Sequence, residues 1–321
     1  WANRTAHQHL GIDNQRDVGL PLLNLVREPR FVAFFNAGQF TTPVEVPGAH
    51  ATPSRPHIIE IHVHPYGKGR KLLLSRDVTV LQQADAMRRD FVANVTHEIR
   101  TPLTVLSGFI ETLNHLPLTA QEQQRYLGLM SQQSQRMLSL VSDLLTLSGL
   151  EGSPLPSDDQ WVRGDVLLEE ALTEAKALSM HLYPDQGHVW QVQASAGLDL
   201  VGSHKELLSA LTNLLSNAVR YTPAGGRIEL GWRAHDAHGA AFFVADSGVG
   251  IAPEHIPRLT ERFYRVDQSR SRESGGTGLG LAIVKHVAQR HGGALHIESH
   301  LGQGSTFIFS LPAARVLWSE D

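Results

Sequence analysis

The chain has no cysteine in its 321 residues. That excludes structural disulfides, thiolate metal sites and photochemistry that needs a flavin–cysteine adduct. Long apolar runs are missing too. No stretch approaches the roughly 20 apolar residues that a membrane-spanning helix requires. Charge of one sign is scarce: 28 Lys and Arg stand against 32 Asp and Glu, a net charge of −4. This balance argues against direct binding of nucleic acid. What remains is 41% hydrophobic and 19% charged, the composition of a globular protein of two or three domains with real cores. The first residue is Trp1 rather than methionine, and the chain reads as a fragment that begins partway into its first domain.

The most informative stretch is Phe91-Val-Ala-Asn-Val-Thr-His97-Glu98-Ile-Arg-Thr101-Pro102-Leu. Ala84, Met87, Phe91, Val95, Ile99, Pro102 and Leu106 recur every three or four residues, the period of a packed helix face. His97 lies two positions from Val95 and Ile99, so at roughly 100° per residue it points away from that stripe. Glu98 is beside it, and Thr101 lies one turn on, on the same side. Pro102 removes the bond to the carbonyl of Glu98 and predicts a bend just past the histidine. An exposed imidazole next to a carboxylate suits a nucleophile, because the acid fixes the tautomer and raises basicity. The bland alternative is a solvated surface histidine, one of 18 in this chain.

Three blocks further on alter that balance. In Asn213-Leu-Leu-Ser-Asn217-Ala-Val-Arg220-Tyr221 the two amides are one helical turn apart and face the same way. Carbonyl oxygens of this kind suit Mg²⁺. Asp246 ends the apolar run Ala241-Phe-Phe-Val-Ala, a predicted buried strand. Its carboxylate is suited to accept from an exocyclic amine such as that of adenine, with Gly248 and Gly250 allowing close backbone approach. Gly275-Gly276-Thr277-Gly278-Leu279-Gly280 runs into the helical pattern Leu281-Ala-Ile-Val-Lys285-His-Val-Ala. A glycine-rich loop feeding a helix start offers N–H groups and a positive dipole end to phosphates. The block has neither dinucleotide-fold spacing nor the Gly-Lys-Ser/Thr of a Walker loop. Between the last two blocks lies Glu261-Arg262-Phe263-Tyr264-Arg265-Val-Asp267, read either as a lid whose Arg265 reaches a terminal phosphate or as a surface helix with a core-facing aromatic pair.

In this order, these five segments resemble the H, N, G1, F and G2 boxes of bacterial sensor histidine kinases, across roughly residues 80–312. Within that family, Leu10-Gly11, Gly19-Leu-Pro21-Leu-Leu-Asn24, Arg27-Glu-Pro29-Arg-Phe31 and Leu72-Leu-Leu-Ser-Arg76-Asp77-Val-Thr79 resemble the PAS domain of its phosphate-sensing branch. Thr96, Ile99 and Arg220 stand where serine, leucine and lysine are commoner. The resemblance implies autophosphorylation of His97 from ATP with Mg²⁺, followed by transfer to an aspartate of a response-regulator receiver domain. Glu98 is then hydrogen-bond partner and base, and Thr101 positions water for the reverse dephosphorylation. Asn217 and Asn213 serve the metal. Arg220, Lys285 and the N–H groups of Gly276, Thr277, Gly278, Leu279 and Gly280 hold phosphates, with Tyr221, Phe263, Tyr264 and Thr306 also lining the nucleotide. The resemblance further implies upstream membrane helices, with this portion on the cytoplasmic side of the bacterial inner membrane.

The expected fold is multidomain α+β. Residues 1–78 form a partial PAS α/β domain closing on the strand Lys71–Arg76, with His57, His62 and His64 clustered and the last two on one strand face. Residues 79–150 form an antiparallel helical hairpin. Thr119 and Glu122 make a capping box before its second helix, which points Tyr126, Met130, Met137, Leu140, Leu144 and Leu147 inward. A stripe this wide predicts a homodimer forming a four-helix bundle. Residues 151–160 read as a linker and 315–321 as a tail. Residues 161–314 read as an α/β sandwich with strands at 227–232, 241–246, 294–299 and 306–311, the last two a hairpin; this resembles the ATP-binding domain shared with gyrase-type ATPases. Two rivals stay open. One is an ATP-driven clamp of the gyrase or chaperone type, which has no need of His97-Glu98. The other is a scaffold or phosphatase-dominant sensor.

Overall fold

A computed structural model describes residues 1–52, 54–67, 69–193, 197–235, 239–266 and 276–318. Asp267, Gly275 and residues 319–321 of the expected tail lie outside the described residues. The chain divides into two compact units, Trp1–His97 and Glu98–Asp321.

The first unit is a three-stranded antiparallel sheet, β1 (Val44–Pro47), β2 (Ile58–Tyr66) and β3 (Arg70–Asp77), in that order. Strict alternation along β2 buries Ile59, Ile61 and Val63. They meet Val26, Val46 and the fully buried Phe31. Phe31 comes from α3 (Pro29–Ala37), after α1 (Arg4–Leu10) and α2 (Leu22–Leu25). On the other side of β2, the rings of His62 and His64 stack at 6.2 Å, and His62 pairs with Glu60 at 2.9 Å. His57 pairs instead with Asp77 at 3.3 Å. Asp77 accepts the N–H and hydroxyl of Thr79, bonds that hold its carboxyl below the usual range and start helix α4 (Thr79–His115).

Helix α4 continues through Pro102, its one buried residue. Phe91, Val95, Ile99 and Leu106 are half-buried as the stripe predicts, whereas Ala84 and Met87, expected to face inward, are exposed. Helix α5 (Ala120–Gly152) begins with the predicted capping box: the Thr119 hydroxyl accepts from Glu122 N–H at 3.3 Å, and Glu122 accepts from Thr119 N–H at 2.8 Å. Leu140, Leu147 and Leu150 are buried, and Tyr126, Met130, Met137 and Leu144 half-buried, which is the expected face.

The sandwich follows. Its main sheet has the order β5-β7-β8-β10-β9, formed by Val189–Gln193, Arg227–His235, Gly239–Asp246, Gly304–Leu311 and Ala294–His300 respectively. Among the described residues only the β5–β7 pairing is parallel, and β9 and β10 form the expected hairpin. Helices α6 (Gly164–Leu182), α7 (His204–Tyr221) and α8 (Gly280–Arg290) make the second layer. Along α7 the buried residues Leu207, Ala210, Leu211, Leu214, Leu215, Ala218 and Val219 keep the helical period. A smaller sheet of order β11-β6-β4 joins Val316–Trp318, Leu198–Val201 and Trp161–Arg163, so part of the expected tail is a paired strand. At the end of α8, Arg290 grips Glu206 at 2.9 Å. The same guanidinium donates to the carbonyls of Leu150, Ser153 and Pro154, where α5 ends.

Candidate active site

The amphipathic pattern of α7 buries one side and leaves Asn213 and Asn217 half-buried on its flank. Asn213 donates through Nδ2 to the Ser209 carbonyl at 2.8 Å, which fixes the amide. Its Oδ1 then faces the head of α8: a Cβ on Gly280 would lie 2.5 Å from it. Asn213 and the glycine block therefore meet. Asn217 makes no side-chain hydrogen bond among the described residues, which leaves its carbonyl oxygen available to a ligand.

Asp246 closes β8 at the same end of the sheet. Its Oδ1 accepts from Gly248 N–H at 2.8 Å, and the Ser305 backbone N–H donates to the same carboxylate. Burial still pushes its carboxyl above the usual range. Val249 N–H donates to the Tyr221 carbonyl at 3.4 Å, which ties the end of α7 to this turn. Gly250 has φ +67°, and any Cβ there would strike the His300 carbonyl, so packing within the sandwich requires this glycine irrespective of a ligand. Thr306 pairs with Ala245, one register position from the pair Ser305–Asp246.

Residues 261–266 form turns, so the surface-helix alternative does not apply. Phe263 holds φ +63°, unusual for an aromatic residue and costing on the order of 1–3 kcal/mol. Its N–H donates to the Gly278 carbonyl at 2.9 Å, which couples this turn to the glycine block. Gly278 has φ +74°, and a Cβ there would lie 3.0 Å from Phe263 Cα. Tyr264 is oriented by a hydroxyl contact of 2.8 Å with His255 Nδ1 and by Arg258 stacked 4.2 Å above its ring. Gly276 has open space around it. Leu279 is fully buried, and its N–H donates to Thr277 Oγ1 at 3.2 Å. Lys285 is exposed and donates to Thr260 at 3.3 Å. Arg220 is half-buried, and loss of water lowers its pKa from the ordinary arginine value.

His97 and Thr101 are exposed on α4. Glu98 lies between two guanidiniums: Arg136 of α5 at 3.3 Å and Arg265 at 3.8 Å. Arg265, expected at a terminal phosphate, is only 9% exposed and is paired with this carboxylate. Two contributors escaped the sequence reading. Arg136 carries no motif. Asp143 belongs to none of the motifs either, yet its carboxylate accepts the Thr277 hydroxyl at 2.6 Å. Its signal was positional: an acid on the inward stripe between Leu140 and Leu147.

The donor set fits a magnesium nucleotide. Amide oxygens on α7, a half-buried carboxylate at the sheet end and N–H groups at the head of α8 are the group types that suit a metal, an exocyclic amine and phosphates in turn.

Residues 87–153 match the His Kinase A (phospho-acceptor) domain, and residues 202–315 match the histidine kinase-, DNA gyrase B- and HSP90-like ATPase family. The phosphate regulon sensor protein PhoR of Pseudomonas aeruginosa is 44% identical over all of this chain and 71% of its own length. PhoR of Haemophilus influenzae is 36% identical over 81% of this chain, and sensor-like histidine kinase SenX3 of Mycobacterium tuberculosis 37% identical over 74%. This chain spans 59% and 57% of those two proteins. Among solved structures, full-length ShkA in complex with AMPPNP aligns with a TM-score of 0.51 at 29% identity, over 72% of this chain and 47% of that one. Histidine kinase ThkA, solved with response regulator TrrA, shares the fold with a TM-score of 0.56 at 20% identity, over 98% and 92% of the two chains. Two domain matches and a relative 44% identical along the whole sequence lead to one conclusion: this chain belongs to the sensor histidine kinases of two-component systems, and is a protein-histidine kinase with an ATPase-type nucleotide domain.

Proposed function

We propose that this chain transfers the γ-phosphoryl group of Mg²⁺-bound ATP to His97 and passes it to a receiver-domain aspartate of a response regulator, in a response to phosphate limitation. The phosphate signal and the regulator class rest on the relatives named above. We divide the work among a partial PAS sensor (1–78), a dimerising phosphoacceptor hairpin (79–150), a linker (151–160) and a catalytic domain (161–314). Full-length relatives are read here as inner-membrane sensors, with this portion facing the cytoplasm; no helix among the described residues is long and apolar enough to cross a membrane.

The observation that carries the reading is convergence: Asn213 abuts Gly280 at the head of α8, while Asp246, Gly248 and the end of α7 close the neighbouring sheet end. In this reading the second oxygen of Asp246 accepts the adenine amine, and Tyr221 packs alongside. Asn217 offers its carbonyl to the metal, and Asn213 orients it. A Mg²⁺ held by these amides would supply charge neutralisation to the phosphates. Arg220, Lys285 and the N–H groups of 276–280 hold the phosphates. Neutral His97 attacks the γ-phosphorus in line; the N–P bond forms, the bond to the β,γ-bridging oxygen breaks, and ADP leaves. The proton on the other ring nitrogen passes to Glu98, whose carboxylate Arg136 and Arg265 hold in direction. Thr101, one turn beyond His97, holds water for dephosphorylating the regulator.

The test is incubation with γ-labelled ATP and Mg²⁺, beside His97→Gln. Label on the unmodified chain alone, lost in acid and kept in alkali, is expected. ATP turnover with no label on either protein would replace this reading with the clamp ATPase. Asn217→Ala should abolish labelling while leaving regulator binding intact; an unchanged rate would remove the metal assignment.

A further inference from the structure

Asp143 sits on the apolar stripe of α5, where an acid has no packing role. Its carboxylate accepts the Thr277 hydroxyl at 2.6 Å, within the range of a charge-assisted hydrogen bond. Thr277 Oγ1 also accepts the Leu279 N–H at 3.2 Å. Two linked contacts thus occupy two donors of the glycine block: the Thr277 hydroxyl gives its single hydrogen to Asp143, and the Leu279 N–H at the head of α8 is given to the Thr277 oxygen. Arg220 also acts on Asp143 by direct charge attraction. The Leu279 N–H and Arg220 are among the groups assigned above to nucleotide phosphates, and the Thr277 hydroxyl is a further donor of the same block. Asp143 and Asn213 line one cavity of about 440 Å³ between α5, α6 and α7, together with Glu174 and Lys205.

We propose that Asp143 is an intramolecular latch that occupies the phosphate-binding donors of the glycine block, so that nucleotide binding and the Asp143–Thr277 contact exclude each other. This rests on the nucleotide reading of the preceding section. A phosphate oxygen that takes the Thr277 hydroxyl must displace the carboxylate, and an anion left beside Asp143 would be repelled by it. The latch therefore lowers apparent nucleotide affinity by the fraction of molecules in which it is open. The latch is also built to release. Burial pushes the Asp143 carboxyl above the usual range, against the opposing pull of Thr277 and Arg220, so the closed contact costs the carboxylate its water. An amide in its place keeps an acceptor for Thr277 without that cost. Removing the side chain removes the acceptor.

The two substitutions are therefore expected to differ. Titration calorimetry with Mg²⁺ and a non-hydrolysable ATP analogue, on the full chain, should give Asp143→Ala an affinity about tenfold tighter than the unmodified protein. Asp143→Asn should bind no more tightly than the unmodified protein. Asp143→Ala within twofold of the unmodified chain would overturn the latch and leave the nucleotide site standing. Equal tightening by both variants would also overturn it, since simple charge repulsion would then suffice. Failure of all three proteins to bind nucleotide would overturn the reading beneath the latch, and the latch with it. Thermal melts check that the variants fold, and Asp143→Asn, which preserves shape, keeps the comparison available if Asp143→Ala does not.

Discussion

The helical hairpin and the sandwich use apolar residues differently. In α4, 37 residues long, only Pro102 is buried, and the 33 residues of α5 bury only Leu140, Leu147 and Leu150. In contrast, α7 buries seven residues in 18, and β8 is buried from Gly239 to Val244. Leu103 and Ile110 of α4 and Leu138, Val141 and Leu145 of α5 stand exposed. The sandwich is complete in one copy. The hairpin carries more apolar surface than one copy covers, which is how half of a four-helix bundle looks when viewed alone. Stability should accordingly be a property of one chain in the sandwich and of two in the hairpin.

The sharpest way to break that contrast is to damage the self-sufficient region. Phe242 is fully buried against Trp232, with ring centroids 5.3 Å apart. Phe242→Ala should cost about 3–5 kcal/mol, read by chemical denaturation and independent of protein concentration. A loss under about 1 kcal/mol would mean that the sandwich core is not closed. Next in size, Val141→Glu changes a residue that is 43% exposed and should leave sandwich melting unaltered. It should weaken self-association by roughly tenfold or more, as measured by sedimentation equilibrium. An unaltered association constant would place the partner's helices elsewhere. Thr119→Ala removes the capping box of α5 and should cost about 1 kcal/mol in the hairpin alone. Calorimetric melts that resolve the two regions check this. The smallest effect is one of pH. The Asp143 carboxyl is raised in the folded protein by burial, against Thr277 and Arg220, with Glu174 and Lys205 on the same cavity. Folding therefore favours its protonated form, and that contribution is lost as pH rises from the ordinary 3.8 through the folded value. Asp143→Asn should melt higher than the unmodified chain at neutral pH, with the gap closing on acidification; a gap that does not change with pH would assign it to packing.

Periodicity made the long elements legible. Helices α4 and α5, the capping box, and the strands around Asp246 and Thr306 lie where alternation and helical spacing put them, because each has one face to bury. The asparagine pair and glycine block were readable as chemistry because their spacing is local. What spacing cannot encode is contact across the chain. Arg265 looked free to reach a phosphate until Glu98 stood beside it, 167 residues earlier in the chain by number. Asp143 and Thr277 are 134 residues apart, and neither neighbourhood hints at the other. Gly250 was read as making room for a ring, and the His300 carbonyl shows that the room serves the protein's own backbone.

The end of α5 has a consequence of its own. The helix has no basic residue in its last turn, and its C-cap is Ser153 in an extended conformation rather than a left-handed glycine. The Gly149 carbonyl accepts the Ser153 N–H, and the carbonyls of Leu150 and Ser153 accept from Arg290, a side chain that arrives from α8 and is itself fixed by Glu206. The stopping point of the hairpin is therefore written outside the hairpin. A peptide covering only residues 79–153 would keep its start signal at Thr119 and lose its stop signal, so its amide protons near Leu150 should exchange with solvent far sooner than those beside the capping box.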